Sequence, residues 1–93
     1  MADLVASGDR AAFPSMVYLY VIKSLKKKYR YVGITDNLER RIKQHNSGYN
    51  QNTKSFAPFE TILIEHHTDY QEARKREKFL KSGVGRKFLD SLK

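Results

Sequence analysis

The chain has 93 residues and no cysteine, and its 18 Lys and Arg against 10 Asp and Glu give a formal net charge of +8. That length allows one small domain with a core near the lower limit for folding alone, and 40% hydrophobic content with six Tyr and five Phe argues against wholesale disorder. Disulfides and cysteine-ligated zinc are excluded, no apolar run approaches the roughly 18 residues of a membrane span, and the start lacks the basic and apolar regions of a signal peptide.

Residues 1–15 carry no sustained periodicity and end in Phe13-Pro14-Ser15, so a flexible N-terminal extension is expected before a domain of residues 16–93. The extension holds one base (Arg10) and two acids (Asp3, Asp9), which leaves 17 bases and 8 acids in the domain. So large a positive excess on a small domain points to a polyanionic partner, nucleic acid first.

Residues 16–23 form a near-continuous apolar and aromatic run, bounded by Ser24, and read as a strand. Residues 24–28 make a hairpin tip with Lys26, Lys27 and Lys28 in solvent, and residues 29–34 are the returning strand. Alternation sets Tyr29, Tyr31 and Gly33 on one face, and Arg30, Val32 and Ile34 on the other. Tyr20 and Tyr31 share a face in one register and not in the next, and the sequence does not fix the register.

Asp36 opens a helix with Glu39 three residues on, an Asp variant of the capping box. Leu38, Ile42 and His45 form its stripe, and Asn46-Ser47-Gly48 ends it. A polar loop over residues 49–58 has Lys54 as its one full charge, and residues 59–66 (FETILIEH) are a third strand. Asp69, with Glu72 three residues on, opens a second helix that runs to about Lys81 and stops at Ser82-Gly83. A short third helix follows, with Val84, Phe88 and Leu92 recurring every four residues. The order is β-β-α-β-α-α: a small, mostly antiparallel three-stranded sheet flanked by helices, α+β in class.

The second helix carries an anomaly. Ala73, Glu77 and Leu80 fall on one stripe, which sets a carboxylate on the side that should face the sheet. A buried, unpaired carboxylate is costly, so Glu77 needs a cationic partner or a metal. An ion pair, for instance with Arg41, is the ordinary explanation. His45 on its apolar stripe has an equally ordinary one, a hydrogen-bonded core histidine, and strand packing explains Tyr20 and Tyr31. Arg41, one turn before His45, reaches the rim of the same pocket. Taken together, these residues supply a metal ligand, a proton acceptor, a charge stabiliser and hydrogen-bond donors, the kit for metal-assisted phosphodiester hydrolysis.

No other chemistry competes. His66-His67, with His45, make no convincing zinc set, and no Walker loop, GxGxxG or GxSxG is present. The candidate phosphate contacts are Lys26, Lys27, Lys28 and Arg30 on the hairpin, Arg40 and Lys43 on the first helix, Lys54 in the loop, and Arg74, Lys78 and Lys81 on the second helix.

These motifs resemble those of the GIY-YIG endonuclease domain in its small stand-alone form, similar to the nuclease module of bacterial excision-repair incision enzymes. Tyr18-Leu19-Tyr20 matches the GIY element and Tyr31-Val32-Gly33 the YIG element. The run from Ile34 to Arg41 matches the start of the following helix and its arginine, and His45-Asn46-Ser47-Gly48 matches the HNSG stretch of small members. Phe59 to Glu65, then Glu72-Ala73 through Glu77 to Leu80-Lys81, match the later strand and the glutamate-bearing helix.

The resemblance implies a catalytic set of Tyr20, Tyr31, Arg41, His45 and Glu77. The tyrosines line the scissile phosphate, Arg41 stabilises its developing charge, and His45 orients a tyrosine or the water or relays a proton. Glu77 holds one divalent cation, Mg²⁺ or Mn²⁺. Tyr20 is favoured as base, although a phenol near its usual pKa of about 10 needs help from the cation, Arg41 or His45. The implied function is metal-dependent DNA endonuclease action, structure-selective or weakly sequence-specific, in DNA repair or processing. A non-catalytic DNA- or RNA-binding module that keeps the fold is the alternative. A cytoplasmic protein, monomer or weak dimer, is expected. The sequence departs from the family in having Tyr18 at the GIY glycine, Ile34 where some members have lysine, and no evident late asparagine.

Overall fold

The first apolar run forms an eight-residue central strand, β1 (Val17–Ser24), in the computed structural model, which describes residues 16–92. The expected extension over residues 1–15 lies outside the described residues. β2 (Arg30–Thr35) returns antiparallel on one side of β1, and β3 (Phe59–His67) pairs antiparallel on the other, giving the order β2-β1-β3. The helices are α1 (Leu38–Asn46), α2 (Tyr70–Leu80) and α3 (Gly83–Leu92), so the α+β order β-β-α-β-α-α is the observed one.

Because β1 is covered on both faces, its alternation divides the core. Leu19 and Val21 pack with Val32, Leu80 and Leu89 on the face under α2 and α3. Tyr20 and Ile22 pack with Phe59 on the opposite face, against Leu38 and Ile42 of α1 and the aromatic rings of Tyr29, Tyr31 and Phe56. Each fully buried aliphatic side chain here contributes about 1.5–3 kcal/mol. Two thin layers thus replace the single thick core that 93 residues cannot build.

The register that the sequence leaves open pairs Tyr20 with Gly33 and Ile22 with Tyr31, so both site tyrosines lie on the α1 face. Gly33 makes this possible. A Cβ there would lie 2.5 Å from both Cζ and the hydroxyl oxygen of Tyr20 and 2.8 Å from Cε2 of Tyr31.

Two details differ from the sequence expectation. Asn37, not Asp36, caps α1: its side chain accepts from the Arg40 N–H, while the Thr35 hydroxyl accepts from the Asn37 N–H at 3.1 Å. The Thr35 bond ties the chain one residue past Asp36 before the helix turns. On α3 the buried face is Gly85 and Leu89, whereas Val84, Phe88 and Leu92 are exposed. A Cβ on Gly85 would strike the Phe79 carbonyl oxygen, so the absence of a side chain is what brings α3 against the end of α2. The cap of α2 is as expected, with Asp69 accepting from the Glu72 N–H.

The polar loop after α1 is tied down at several points. Gly48 leaves the helix at φ +81°, and a 3-10 turn spans Lys54–Phe56. The Asn46 side chain accepts from the Phe59 N–H at 2.6 Å, and the Ser24 hydroxyl donates to the Phe56 carbonyl at 2.6 Å. Phe56 stacks on Tyr29 with ring centroids 3.9 Å apart. These contacts hold the loop over the α1 face of the sheet, where it closes the floor of the site.

Candidate active site

Tyr20 stands at the centre. β1 delivers it to the α1 face, and α1 brings His45 within reach at the end of the stripe begun by Leu38 and Ile42. The Tyr20 hydroxyl lies 2.8 Å from His45 Nε2, and His45 Nδ1 lies 2.9 Å from the Thr53 hydroxyl. Exposure of Tyr20, His45 and Thr53 is 1%, 0% and 0%, so the chain of three is shielded from bulk water. Tyr31 is half-buried on β2, with its ring centroid 4.9 Å from that of His45 and 6.2 Å from that of Tyr20. Phe59 closes the back of the imidazole at 6.0 Å.

Arg41 projects from α1 beside both phenols, and its guanidinium donates to Gln44 Oε1 at 3.0 Å. Burial works against its charge, but hydrogen bonding to Tyr20 and the negative character of Tyr20 and Tyr31 outweigh this and raise its pKa. Burial pushes Tyr20 up to about 12, against the opposing pull of hydrogen bonding to Arg41. His45 is pushed down to about 4, by burial first and then by the Arg41 charge. At neutral pH the site therefore holds a neutral imidazole, a protonated phenol and a guanidinium cation.

Glu77 takes the position its helical stripe requires, between the fully buried Ala73 and Leu80, with its side chain 14% exposed. Its charge is felt at Tyr20. Its ion partners are not Arg41 but residues of its own helix and cap: Arg74 at 3.2 Å and Lys81 at 2.9 Å. Those arms are 65% and 56% exposed, so they can swing into solvent at little loss. A single, mostly buried carboxylate with hard oxygen donors fits a divalent cation of the Mg²⁺ type, which binds through one or two carboxylates and fills its shell with water and substrate oxygens. Among the described residues no group of three His, Asp or Glu forms a metal cage, and His66 and His67 belong to none.

Alongside Tyr31 an open cleft of about 590 Å³ follows the edge strand β2 as far as Leu80, Lys81, Arg86 and Leu89. Lys28, Arg30, Lys81 and Arg86 give it a basic lining over the apolar Val32, Leu80 and Leu89. Other proposed phosphate contacts stand apart from the cleft: Lys26 and Lys27 are exposed on the hairpin tip, Arg40 and Lys43 on α1, Lys54 in the loop, and Arg74 and Lys78 on α2. Arg30 also pairs with Asp90 at 2.6 Å. Arg76, on the same basic helix, bonds both carboxylate oxygens of Glu65 and lies over the Phe79 and Phe88 rings.

Sequence reasoning misses Thr53, Gln44 and Arg86. Arg86 is one of many basic residues, and Gln44 is one polar residue on a polar helix face. Thr53 sits in a polar loop with no periodicity, and only the fold reveals that it is the buried partner of His45.

The α+β domain thus sets two strand tyrosines against an arginine and a histidine of the next helix, with a glutamate on a later helix. Residues 16–88 match the GIY-YIG catalytic domain, and the chain belongs to the GIY-YIG family. It is 37% identical over 67 residues to UPF0213 protein CPE1444 of Clostridium perfringens, a match covering 71% of each chain. It is 42% identical over 57 residues to the structure-specific endonuclease subunit SLX1 homolog of Drosophila persimilis. That match takes 54% of this chain but 20% of the SLX1 homolog, so the chain spans about a fifth of that relative. The solution NMR structure of UPF0213 protein BH0048 from Bacillus halodurans matches with a TM-score of 0.52 at 31% identity, over 84% of this chain and 85% of that one.

Proposed function

We propose that the protein is a metal-dependent DNA endonuclease that hydrolyses phosphodiester bonds, selecting its substrate by DNA structure more than by sequence, in DNA repair or processing. The observation that carries this reading is the convergence on the Tyr20 hydroxyl: His45 is bonded to it, the Arg41 and Glu77 charges act on it, and the Tyr31 ring lies beside it. A carboxylate, a guanidinium and a phenol–imidazole pair from three elements have no shared structural purpose, whereas phosphodiester hydrolysis uses each. Membership of a catalytic-domain family and likeness to a structure-specific endonuclease subunit support the same reading.

In this mechanism Tyr20 first gives up its own proton to solvent, and the phenolate so formed, held in place by His45, accepts the proton of the attacking water as the bond from phosphorus to the leaving sugar oxygen breaks. Arg41 faces the phosphate and offsets the charge that grows on its oxygens as the bond to water forms. Tyr31 supplies a hydroxyl to the same phosphate. A divalent cation held by Glu77 would polarise a phosphate oxygen. The basic cleft beside Tyr31 leads the strand away from the site.

The test is nicking of supercoiled plasmid and of branched DNA with Mg²⁺ or Mn²⁺, comparing wild type with Glu77→Gln and Arg41→Ala. Wild type is expected to nick, and each variant to lose on the order of 100-fold or more in kcat. One observation favours a second reading, a binding module that keeps the fold: Glu77 is already matched by two cations. Equal DNA binding by all three proteins with cleavage by none, across both substrates and both metals, would decide for that module. Cleavage by a folded Glu77→Gln at the wild-type rate would remove Glu77 from the site.

A further inference from the structure

Lys81 belongs to two places at once. It lines the basic cleft beside β2, and its ammonium donates to Glu77 Oε2 at 2.9 Å. The other oxygen of Glu77, Oε1, accepts from the Arg74 guanidinium at 3.2 Å, so each carboxylate oxygen carries one cation. Neither Glu77 nor Arg74 lines the cleft. Among the described residues, Lys81 is thus the cleft residue that is bonded to the carboxylate.

This bond is built to exchange. Lys81 caps the C-terminal end of α2, its N–H donating to the Glu77 carbonyl at 3.1 Å, so its backbone is held while the long flexible arm turns. The arm is 56% exposed and the Glu77 side chain 14%, which makes the ammonium the mobile partner and the carboxylate the fixed one. An ion pair with one partner so exposed is weak. A DNA phosphate in the cleft offers the ammonium a second anion. A divalent cation at Glu77 repels an ammonium that stays. Phosphate and cation therefore favour the same movement, of Lys81 away from Glu77 and into the cleft. Two ligands that favour one state tighten each other's binding by the same factor.

We propose that Lys81 is an exchangeable counter-ion of Glu77 that passes to a DNA phosphate in the cleft, so that DNA binding uncovers the carboxylate for a divalent cation. The inference rests on the endonuclease reading, in which Glu77 takes the cation and the cleft takes the strand. Arg74, bonded to the same carboxylate but outside the cleft, competes with the cation whether DNA is bound or not.

The experiment compares the otherwise unchanged protein with Lys81→Gln, Arg74→Gln and Glu77→Gln, all four carrying Arg41→Ala to prevent cleavage. Electron paramagnetic resonance follows Mn²⁺ binding to the protein alone. Fluorescence anisotropy follows binding of a labelled branched DNA with and without Mn²⁺, at constant ionic strength. Without DNA, Lys81→Gln and Arg74→Gln are each expected to bind Mn²⁺ about fivefold more tightly, the screened repulsion of one nearby charge. The factor by which Mn²⁺ tightens DNA binding should fall about fivefold in Lys81→Gln, whose carboxylate is uncovered in advance, and hold in Arg74→Gln. An unchanged Mn²⁺ affinity in Lys81→Gln overturns the proposal, as does a coupling factor that falls in neither variant or equally in both. Mn²⁺ binding that survives Glu77→Gln, or DNA binding by none of the four proteins, counts instead against the endonuclease reading on which the proposal rests.

Discussion

His45 is buried where a charge has no solvent and where the Arg41 cation already stands, and stability follows from that placement. Its pKa falls from 6.5 to about 4 on folding, so between those values the unfolded chain takes up a proton that the folded one refuses. Stability from this residue is therefore complete above about pH 6.5 and is lost as pH falls toward 4, by about 3 kcal/mol in all. Urea unfolding of wild type and His45→Gln at pH 7 and pH 4.5 separates this from every pH effect that the two proteins share. The wild type should lose more stability than the variant over that interval, and equal losses would mean that His45 titrates normally in the folded state. Tyr20 is shifted in the other direction by the same burial. A phenol pushed up to about 12 is a strong base that is almost never free. On the mechanism proposed above, Arg41, His45 and a cation at Glu77 would together have to stabilise the phenolate of this one oxygen.

At the scale of elements, α3 is held by an absence. A Cβ on Gly85 would strike the Phe79 carbonyl oxygen and lie 2.5 Å from Leu80 Cα, while one on Gly83 would meet nothing within 4 Å. Gly85→Ala should destabilise the domain by about 1–3 kcal/mol as α3 is forced off α2, and Gly83→Ala should be neutral within about 0.5 kcal/mol. Thermal unfolding of the two variants checks the pair, and equal midpoints would show that α3 is not docked through Gly85. The same glycine marks where reading the sequence stops. Strand runs, the Asp69 cap and the Gly48 helix end are local signals, legible because they depend on neighbours within a few residues. The α3 stripe misleads because hydropathy registers Val84, Phe88 and Leu92 but not a glycine that is buried for want of volume. The strand register depends on Gly33 admitting two tyrosine rings, a contact between strands. Glu77 is legible as an anomaly because a helix reports its own faces. Thr53 is not, because its burial depends on the loop being tied to Asn46, Ser24 and Tyr29, none of which a local pattern connects to it.

The whole molecule carries its +8 charge unevenly, and the part that lines the cleft beside Tyr31 is where charge and site meet. Cations that neutralise phosphates release condensed counterions, so each contact adds about −0.9 to the slope of log K against log salt on duplex DNA and about −0.7 on a single strand. Arg86 lines the cleft and Lys75 does not, its ammonium lying instead 3.5 Å from Glu72. If the strand leaves the site along this cleft, Arg86→Ala should weaken DNA binding about equally for all sequences and reduce the slope by about one contact. Lys75→Ala, which removes the same formal charge, should leave the slope at the wild-type value. Binding titrations over a range of salt for the three proteins give the answer, with Glu77→Gln as the common background to prevent cleavage. Equal reductions for Arg86 and Lys75 would mean that net charge alone attracts the DNA and that the cleft guides nothing. A difference confined to Arg86 fixes the direction of the strand relative to Tyr31, and with it which side of the scissile phosphate the domain grips.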